Sequence, residues 1–364
     1  MNSKKTIIIT IFILIFSLFI TGCGKKDAAE PAEETPEITE AAVPTPEPTP
    51  EPTEEPATLY NQLTGIEQET DTSADRPYAV MINNIIYAQP QVGIGSADWI
   101  YEIEAEGGIT RMMALFSDIS DVPSVGSIRS LRPYYLSIAM TYDAIMLHGG
   151  GSPDAYKDLK SYDYDHLDGV KDGTAMSVMF YRDPSRGTYG SEHTLFLKGD
   201  QVQTMVDRYE FRKTHEEGFS NGLRFSQDAA AVCTDDAASV RVSFNSSKTM
   251  SFTYHPETGV YTGVQYSSPY ADGATGEEVP FSNVLVISAE SHVYADKGRI
   301  EVAIVGSGTG YFCTGGKYVA INWSRPTVED PFTYTTQDGT PISFTPGKTY
   351  CAVIDTEHGG VQFS

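Results

Sequence analysis

The sequence predicts an α+β protein: an N-terminal mixed α/β domain, residues 58–220, followed by a smaller antiparallel β-rich domain, residues 221–364. From Arg76 to about Phe219, apolar runs of strand length alternate with helical ones, whereas beyond Asn221-Gly222 short alternating segments take over. Those segments are punctuated by the turn formers Thr258-Gly259, Gly315-Gly316, Asp338-Gly339 and Pro346-Gly347. A chain of 364 residues, 40% hydrophobic with 22 Tyr and 16 Phe, has apolar material for two cores.

In the first domain YAVMIN (78–83) and ADWIYEIEAE (97–106) read as strands, Gly107-Gly108 as a two-residue turn and ITRMMALF (109–116) as the returning strand. The strand period sets Glu102, Glu104 and Glu106 on one face, and this turn places Glu104 opposite Arg111. A helix is predicted from about Leu131, with Pro133 in its first turn, where a missing N–H costs little. DAIMLH (143–148) reads as a buried strand, and GGGSPDAYKDLK (149–160) as a glycine turn entering a helix capped by Ser152. MSVMFY (176–181) reads as a strand and 199–209 as a helix. In the second domain VRVSF, SFTYH, NVLVIS, RIEVAIV, GYFCT, KYVAINW, PISFT and TYCAVI read as strands, and GSGTG (306–310) as a hairpin bend.

The N-terminus, MNSKKTIIITIFILIFSLFITGC, has a basic start at Lys4 and Lys5 and an apolar stretch too short for a stop-transfer helix, so residues 1–22 are expected to be a secretion signal. Ile20-Thr21-Gly22-Cys23 resembles a bacterial lipobox, predicting diacylglyceryl Cys23 as the first mature residue. Two acyl chains anchor stably where one is marginal. Residues 23–57, rich in Pro, Glu and Thr, contain nothing able to build a core and read as a tether. At roughly 3 Å per residue in polyproline II, it reaches up to about 100 Å. The expected address is the outer face of the bacterial cytoplasmic membrane.

Net charge argues against nucleic acid, which demands clustered cations for its phosphates. Of the total of −24, the ten acids of 27–56 and the four lysines of 1–26 leave −18 for residues 57–364. Beyond Cys23, the odd set Cys233, Cys313 and Cys351 forms no complete disulfide framework; Cys313 and Cys351 pair only if their strands are neighbours, and otherwise serve as small buried residues. Neither GxSxG nor HExxH occurs, and the seven histidines are scattered singly. No motif calls for a metal or cofactor, and no catalytic residue is assigned.

The candidate site is built from arginines. VGSIRSLRPYYLSIAM (125–140) sets Ser127, Arg129, Ser130 and Arg132 ahead of the predicted helix, where backbone N–H groups and the peptide dipole favour an anion but disfavour a bare cation. HGGGSPD (148–154) repeats the logic with His148, Gly150 and Ser152 at a second strand-to-helix turn. It is neither a GxGxxG fingerprint nor a Walker A loop. YRDPSRGTYGSEHTLF (181–196) adds Arg182, Arg186 and His193 in a loop long enough to fold over a neighbouring surface. Arg111 is expected to be held by carboxylates, with Glu104 and Glu106 supporting it.

These stretches, with RPYAVMINN, ADWIYEIEAEGGITRMMALF and the terminal GTGYFCTGGKYVAINW and GTPISFTPGKTYCAVID, resemble the YerB-like lipoprotein family, in the same order along nearly everything after the tether. The resemblance implies a bacterial lipoprotein of unknown function with a mixed N-terminal and a β-rich C-terminal part. It carries over Glu106, Gly107, Gly108, Arg111, Arg129, Arg132, His148 and Arg186. Around His193, where members tend to read Pro-His-Asn, this chain has Glu192 and Thr194. A fainter likeness links the chain to LytR-CpsA-Psr phosphotransferases, whose arginine and aspartate spacing it does not reproduce.

The resulting expectation is an arginine-lined cleft of Arg111, Arg129, Arg132 and Arg186, closed by the His148 turn. It would bind an anionic envelope component such as a lipid-linked phosphate, a teichoic-type polymer or a carboxylated glycan. The alternatives are a phosphotransferase-like enzyme on a polyprenyl-phosphate-linked substrate, with Glu104 or Glu106 as base or metal ligand, and a scaffold that binds an envelope protein through its β-rich domain.

Overall fold

Strands in the middle of the chain are apolar on both faces, which requires a sheet covered on both sides. In Trp99–Glu104, Trp99, Tyr101 and Ile103 point into one core and Ile100 into another; Tyr78–Asn84 and Thr110–Phe116 alternate in the same way. The computed structural model describes residues 58–294 and 298–364; the expected signal, Cys23 and tether lie outside the described residues.

The architecture is α+β and centres on an 11-stranded mixed sheet. Its order places Lys317–Arg325, Gly306–Thr314 and Asn283–Ala289 on one side, then Thr349–Asp355, then Trp99–Glu104, Thr110–Phe116, Tyr78–Asn84, Ile145–His148 and His166–Asp168. Thr349–Asp355 runs parallel to both Asn283–Ala289 and Trp99–Glu104, so a single C-terminal strand joins the two halves. One face of the sheet packs on the helix Pro133–Thr141 through Tyr134, Tyr135 and Ile138. The other is covered by a six-stranded sheet containing Ser239–Ser243, Thr249–His255 and Val260–Gln265, through Val240, Val242, Met250 and Phe252. Fully buried Arg325 adds a polar tie: its guanidinium donates to the Ser137 carbonyl (2.6 Å) and to the carbonyls of Val328 (2.6 Å) and Asp330 (3.0 Å).

Several local expectations are corrected. The 104–110 connection is a tight turn over Glu106–Gly108 with Gly107 and Gly108 both at positive φ, not a two-residue turn. This shifts the register, so Ile103 faces Arg111 and Glu104 faces Thr110. Residues of MSVMFY form the helix Gly173–Val178 and the strand Phe180–Arg182; the Asp172 carboxylate caps the amides of Thr174 and Ala175 and so starts a helix in a short apolar run of ambiguous period. GSGTG lies inside the strand Gly306–Thr314, and the bend is Gly315-Gly316. A Cβ at Gly310 would sit 2.1 Å from the Val286 carbonyl oxygen, so these glycines serve close backbone approach. PISFT makes only single bridges, Thr335 with Pro341 and Phe225 with Phe344. Cys313 and Cys351 flank opposite sides of Asn283–Ala289 as free buried thiols. Two strand spacings, about 10 Å, exceed what a disulfide spans.

Candidate functional site

The sequence-predicted arginines divide among three places. Glu106, leading its turn, receives a two-pronged bond from Arg132, with Nε at 2.5 Å and Nη2 at 2.8 Å, and a longer contact from Arg111 Nη2 at 3.4 Å. Burial pushes the Glu106 carboxyl up, but the Arg132 hydrogen bond and the two guanidinium charges outweigh it and leave it below the usual range. Arg111 is buried and donates Nη1 to the Ser130 carbonyl (2.8 Å); burial, then the Arg132 charge, lower its pKa to about 10. The expected partner of Arg111, Glu104, instead ends its strand opposite Thr110, with its carboxyl raised by burial.

Arg132 and Ser152 face a hollow of about 420 Å³ that also exposes Glu106, Asp154, Asp158 and Glu301, with Arg299 bonded to Asp154. Four acids against two arginines make this hollow acidic. Arg186 reaches neither this hollow nor the next: its Nη2 donates to the Pro90 carbonyl (2.9 Å), and its guanidinium lies 5.8 Å over the Phe196 ring.

Across the start of the helix Pro153–Ser161 lies a second cleft of about 590 Å³, lined by Arg129, Ser130, the 149–151 glycine turn, Tyr156, Lys171, Arg182 and Glu192. Arg129 makes one long bond, Nη1 to the Glu192 carbonyl at 3.4 Å, and its buried Nε has no hydrogen-bond partner among the described residues. Burial lowers the Arg129 pKa, Glu192 opposes this, and Arg132 reinforces it. Arg182 donates Nη1 to the Ser191 carbonyl (2.6 Å) and Thr194 Oγ1 (3.0 Å), while Lys171 Nζ sits 3.2 Å over the Tyr156 ring. Three cations face one carboxylate here.

The glycine turn of this cleft is braced from beneath. Asp168 accepts the amides of Gly150 and Val170, each at 2.8 Å, and the Tyr156 hydroxyl at 2.6 Å. His148 Nδ1 donates to the Gly150 carbonyl (2.8 Å), leaving Nε2 to accept from His166 Nδ1 at 3.0 Å, which fixes both tautomers. Burial pushes the pKa of His148 down to about 4 against the attraction of Asp168, so the ring is neutral near pH 7. Gly150 itself adopts φ +79°, a conformation that favours glycine.

Ser127 and His193, both predicted for the site, are interior. Ser127 lies well before the helix and accepts Asn83 Nδ2 at 3.2 Å; the same amide donates to His193 Nδ1 at 2.9 Å. Both are buried, so neither presents itself to a ligand. Of the expected set, the second cleft therefore gathers Arg129, Ser130 and Gly150, with His148 beneath it. Sequence reading missed Lys171, His166 and Asp168, which sit in a polar stretch without any motif. Ser152 serves as the predicted cap, accepting the Ala155 amide at 3.2 Å. Of Glu104 and Glu106, the alternative bases or metal ligands of the phosphotransferase reading, Glu104 ends its strand opposite Thr110 and Glu106 is held by two guanidiniums, and the described residues contain no group of three or more His, Cys, Asp or Glu able to hold a metal.

An α+β protein with one sheet shared by an N-terminal and a C-terminal segment, and a cationic cleft in the first, is the class these features define. The chain belongs to the family described as protein of unknown function DUF3048, whose N-terminal domain model matches residues 63–212 and whose C-terminal domain model matches residues 240–351. It is 28% identical over 297 residues to "Putative lipoprotein YerB" of Bacillus subtilis (strain 168), an alignment covering 80% of this chain and 85% of that protein. The crystal structure of the Bacillus subtilis YerB protein is similar with a TM-score of 0.71 and 26% identity, covering 84% of this chain and 99% of that one.

Proposed function

We propose that the chain is a secreted protein, lipid-anchored through Cys23 on the outer face of the cytoplasmic membrane, whose cleft at Arg129, Lys171 and Arg182 holds an anionic envelope component. The observation that carries the reading is the imbalance of charge in that cleft: three cations, one exposed carboxylate and a buried guanidinium Nε with no partner among the described residues, within a chain of net charge −24. An incoming phosphate or carboxylate would give Arg129 the charge-assisted bonds it lacks. The glycine turn allows a bulky oxyanion close to the backbone, and the Asp168, His148 and Gly150 bonds hold the turn in shape before any ligand arrives. The expected ligands are lipid-linked phosphates, teichoic-type polymers and carboxylated glycans.

Isothermal titration of the purified chain with glycerol-phosphate oligomers, a polyprenyl phosphate in detergent and an oligogalacturonate tests this reading. Saturable binding of at least one, weakened by rising salt, is the expected result. Absence of heat with all three at millimolar concentration overturns it.

A further inference from the structure

An enclosed ionisable cluster lies between the main sheet and the six-stranded sheet, far in character from the open cleft. Glu102 is fully buried, and Lys248 and Gln265 are each only 3% exposed. Lys248 precedes the strand Thr249–His255 and Gln265 ends the strand Val260–Gln265, so the two stand at the open end of one hairpin. Lys248 Nζ donates to Gln265 Oε1 and lies 3.2 Å from Glu102 Oε1. Met250, Phe252, Tyr270, Phe281 and Tyr350 supply apolar walls, and the Tyr266 ring lies 4.5 Å from Nζ.

A buried ion pair alone explains Lys248 and Glu102 but not Gln265. Gln265 Nε2 is buried with no hydrogen-bond partner among the described residues, while its Oε1 is held against an amine. An amide donor stranded in this way normally costs about 1–3 kcal/mol. The Lys248 amine donates to the oxygen of the Gln265 carbonyl and so stands next to that group, and the unsatisfied Nε2 is the nitrogen that an acyl transfer would expel. Glu102 supplies the acid–base group. Its Oε1 also accepts Asn84 Nδ2 (2.7 Å) and Thr110 Oγ1 (2.5 Å), and its Oε2 accepts the Tyr350 hydroxyl, so the carboxyl is held in place. Burial raises its pKa, opposed by the charge of Lys248, which favours passing a proton between the two.

We propose that Lys248 and Gln265 become joined by an intramolecular isopeptide bond, with Glu102 as the proton carrier. Lys248 gives a proton to Glu102, and its neutral Nζ attacks Gln265 Cδ to form a tetrahedral adduct. The adduct's surplus proton passes through Glu102 to Nε2, the Cδ–Nε2 bond breaks, and ammonia leaves. One Cδ–Nζ bond forms, one Cδ–Nε2 bond is lost, nothing is oxidised or reduced, and Glu102 ends protonated. The product removes the stranded amide nitrogen and clamps the hairpin in a chain whose described cysteines are all free thiols.

Peptide mapping of the purified full chain decides the matter. Trypsin on an unlinked chain cuts after Arg241, Lys248 and Lys297 and releases 242–248 as a separate peptide. With the bond in place, Lys248 is blocked and one peptide, 242–297, appears lighter than its sequence by one ammonia. Chymotrypsin, which cuts at Phe252, Tyr254 and Tyr261, then leaves two segments still joined through Lys248 and Gln265. Release of 242–248 with Gln265 at full mass overturns the proposal. In Glu102→Gln, refolded and checked by circular dichroism, bond formation is expected to be at least about a hundredfold slower; formation at the wild-type rate removes Glu102 from the step. Should that variant fail to fold, the wild-type map decides alone, with Lys248→Met giving the unlinked reference.

Discussion

The two hollows on either side of the Pro153–Ser161 helix start share a helix and differ in sign. On the Arg132 side the protein supplies its own counter-ions, Glu106 first among them, and the hollow is acidic. On the Arg129 side three cations meet a single exposed carboxylate, and Arg129 forms no ion pair among the described residues. The two arginines therefore differ not in their place before a helix but in pairing: Arg132 forms an ion pair with Glu106, whereas Arg129 forms none among the described residues. Arg129 and Arg132 stand three residues apart and land on opposite sides of that distinction.

The comparison breaks most visibly in binding. Replacing Arg129 and Lys171 together by alanine is expected to cost about 3–6 kcal/mol of anion affinity, at about 1.5–3 kcal/mol for each charged hydrogen bond, read by calorimetry. Arg132→Ala is expected to leave affinity within about twofold, since its fork is already spent on Glu106. Equal losses in the two variants would erase the difference between the hollows.

Acid sharpens it next. His148 has a folded pKa near 4 against an ordinary value of 6.5, so the unfolded chain binds more protons between these limits and stability rises with pH across them. Lowering pH from about 6.5 to about 4 is expected to remove about 3 kcal/mol, with nothing further from this group below that. Denaturant melts at stepped pH check this, and His148→Gln, if folded, should flatten the slope in that window. An unchanged slope would contradict a buried neutral ring under the glycine turn.

The smallest effect concerns Glu106. Glu106→Gln leaves partly buried Arg132 and buried Arg111 without their shared counter-ion and is expected to cost about 1–3 kcal/mol of unfolding free energy, by chemical denaturation. It also leaves the Arg132 side with three acids against two arginines, so that side stays acidic and no anion binding is expected there. A variant as stable as wild type would show that Glu106 is a surface partner only.

Strand-length apolar runs such as YAVMIN and TYCAVI were legible because burial on both faces of a sheet leaves a composition that no turn or loop imitates. The Ser152 cap and its proline were legible because their chemistry is local. The Glu106–Gly108 turn was not, since two glycines allow several turn types and a shift of one residue moved the carboxylate facing Arg111. Lys171, Asp168 and the Lys248, Gln265 and Glu102 cluster were invisible for another reason. Their meeting depends on which strands and sheets become neighbours, Ile145–His148 beside His166–Asp168 for the first two and the six-stranded sheet over Trp99–Glu104 for the cluster, and one sequence carries no record of that pairing.

The most direct test is a crystal structure of the chain grown with tungstate, an anion whose position anomalous scattering reveals without ambiguity. The anion is expected between Arg129, Lys171 and Arg182 beside the 149–151 turn. Tungstate on the Arg132 side instead, or an empty cleft at saturating concentration, would contradict the account.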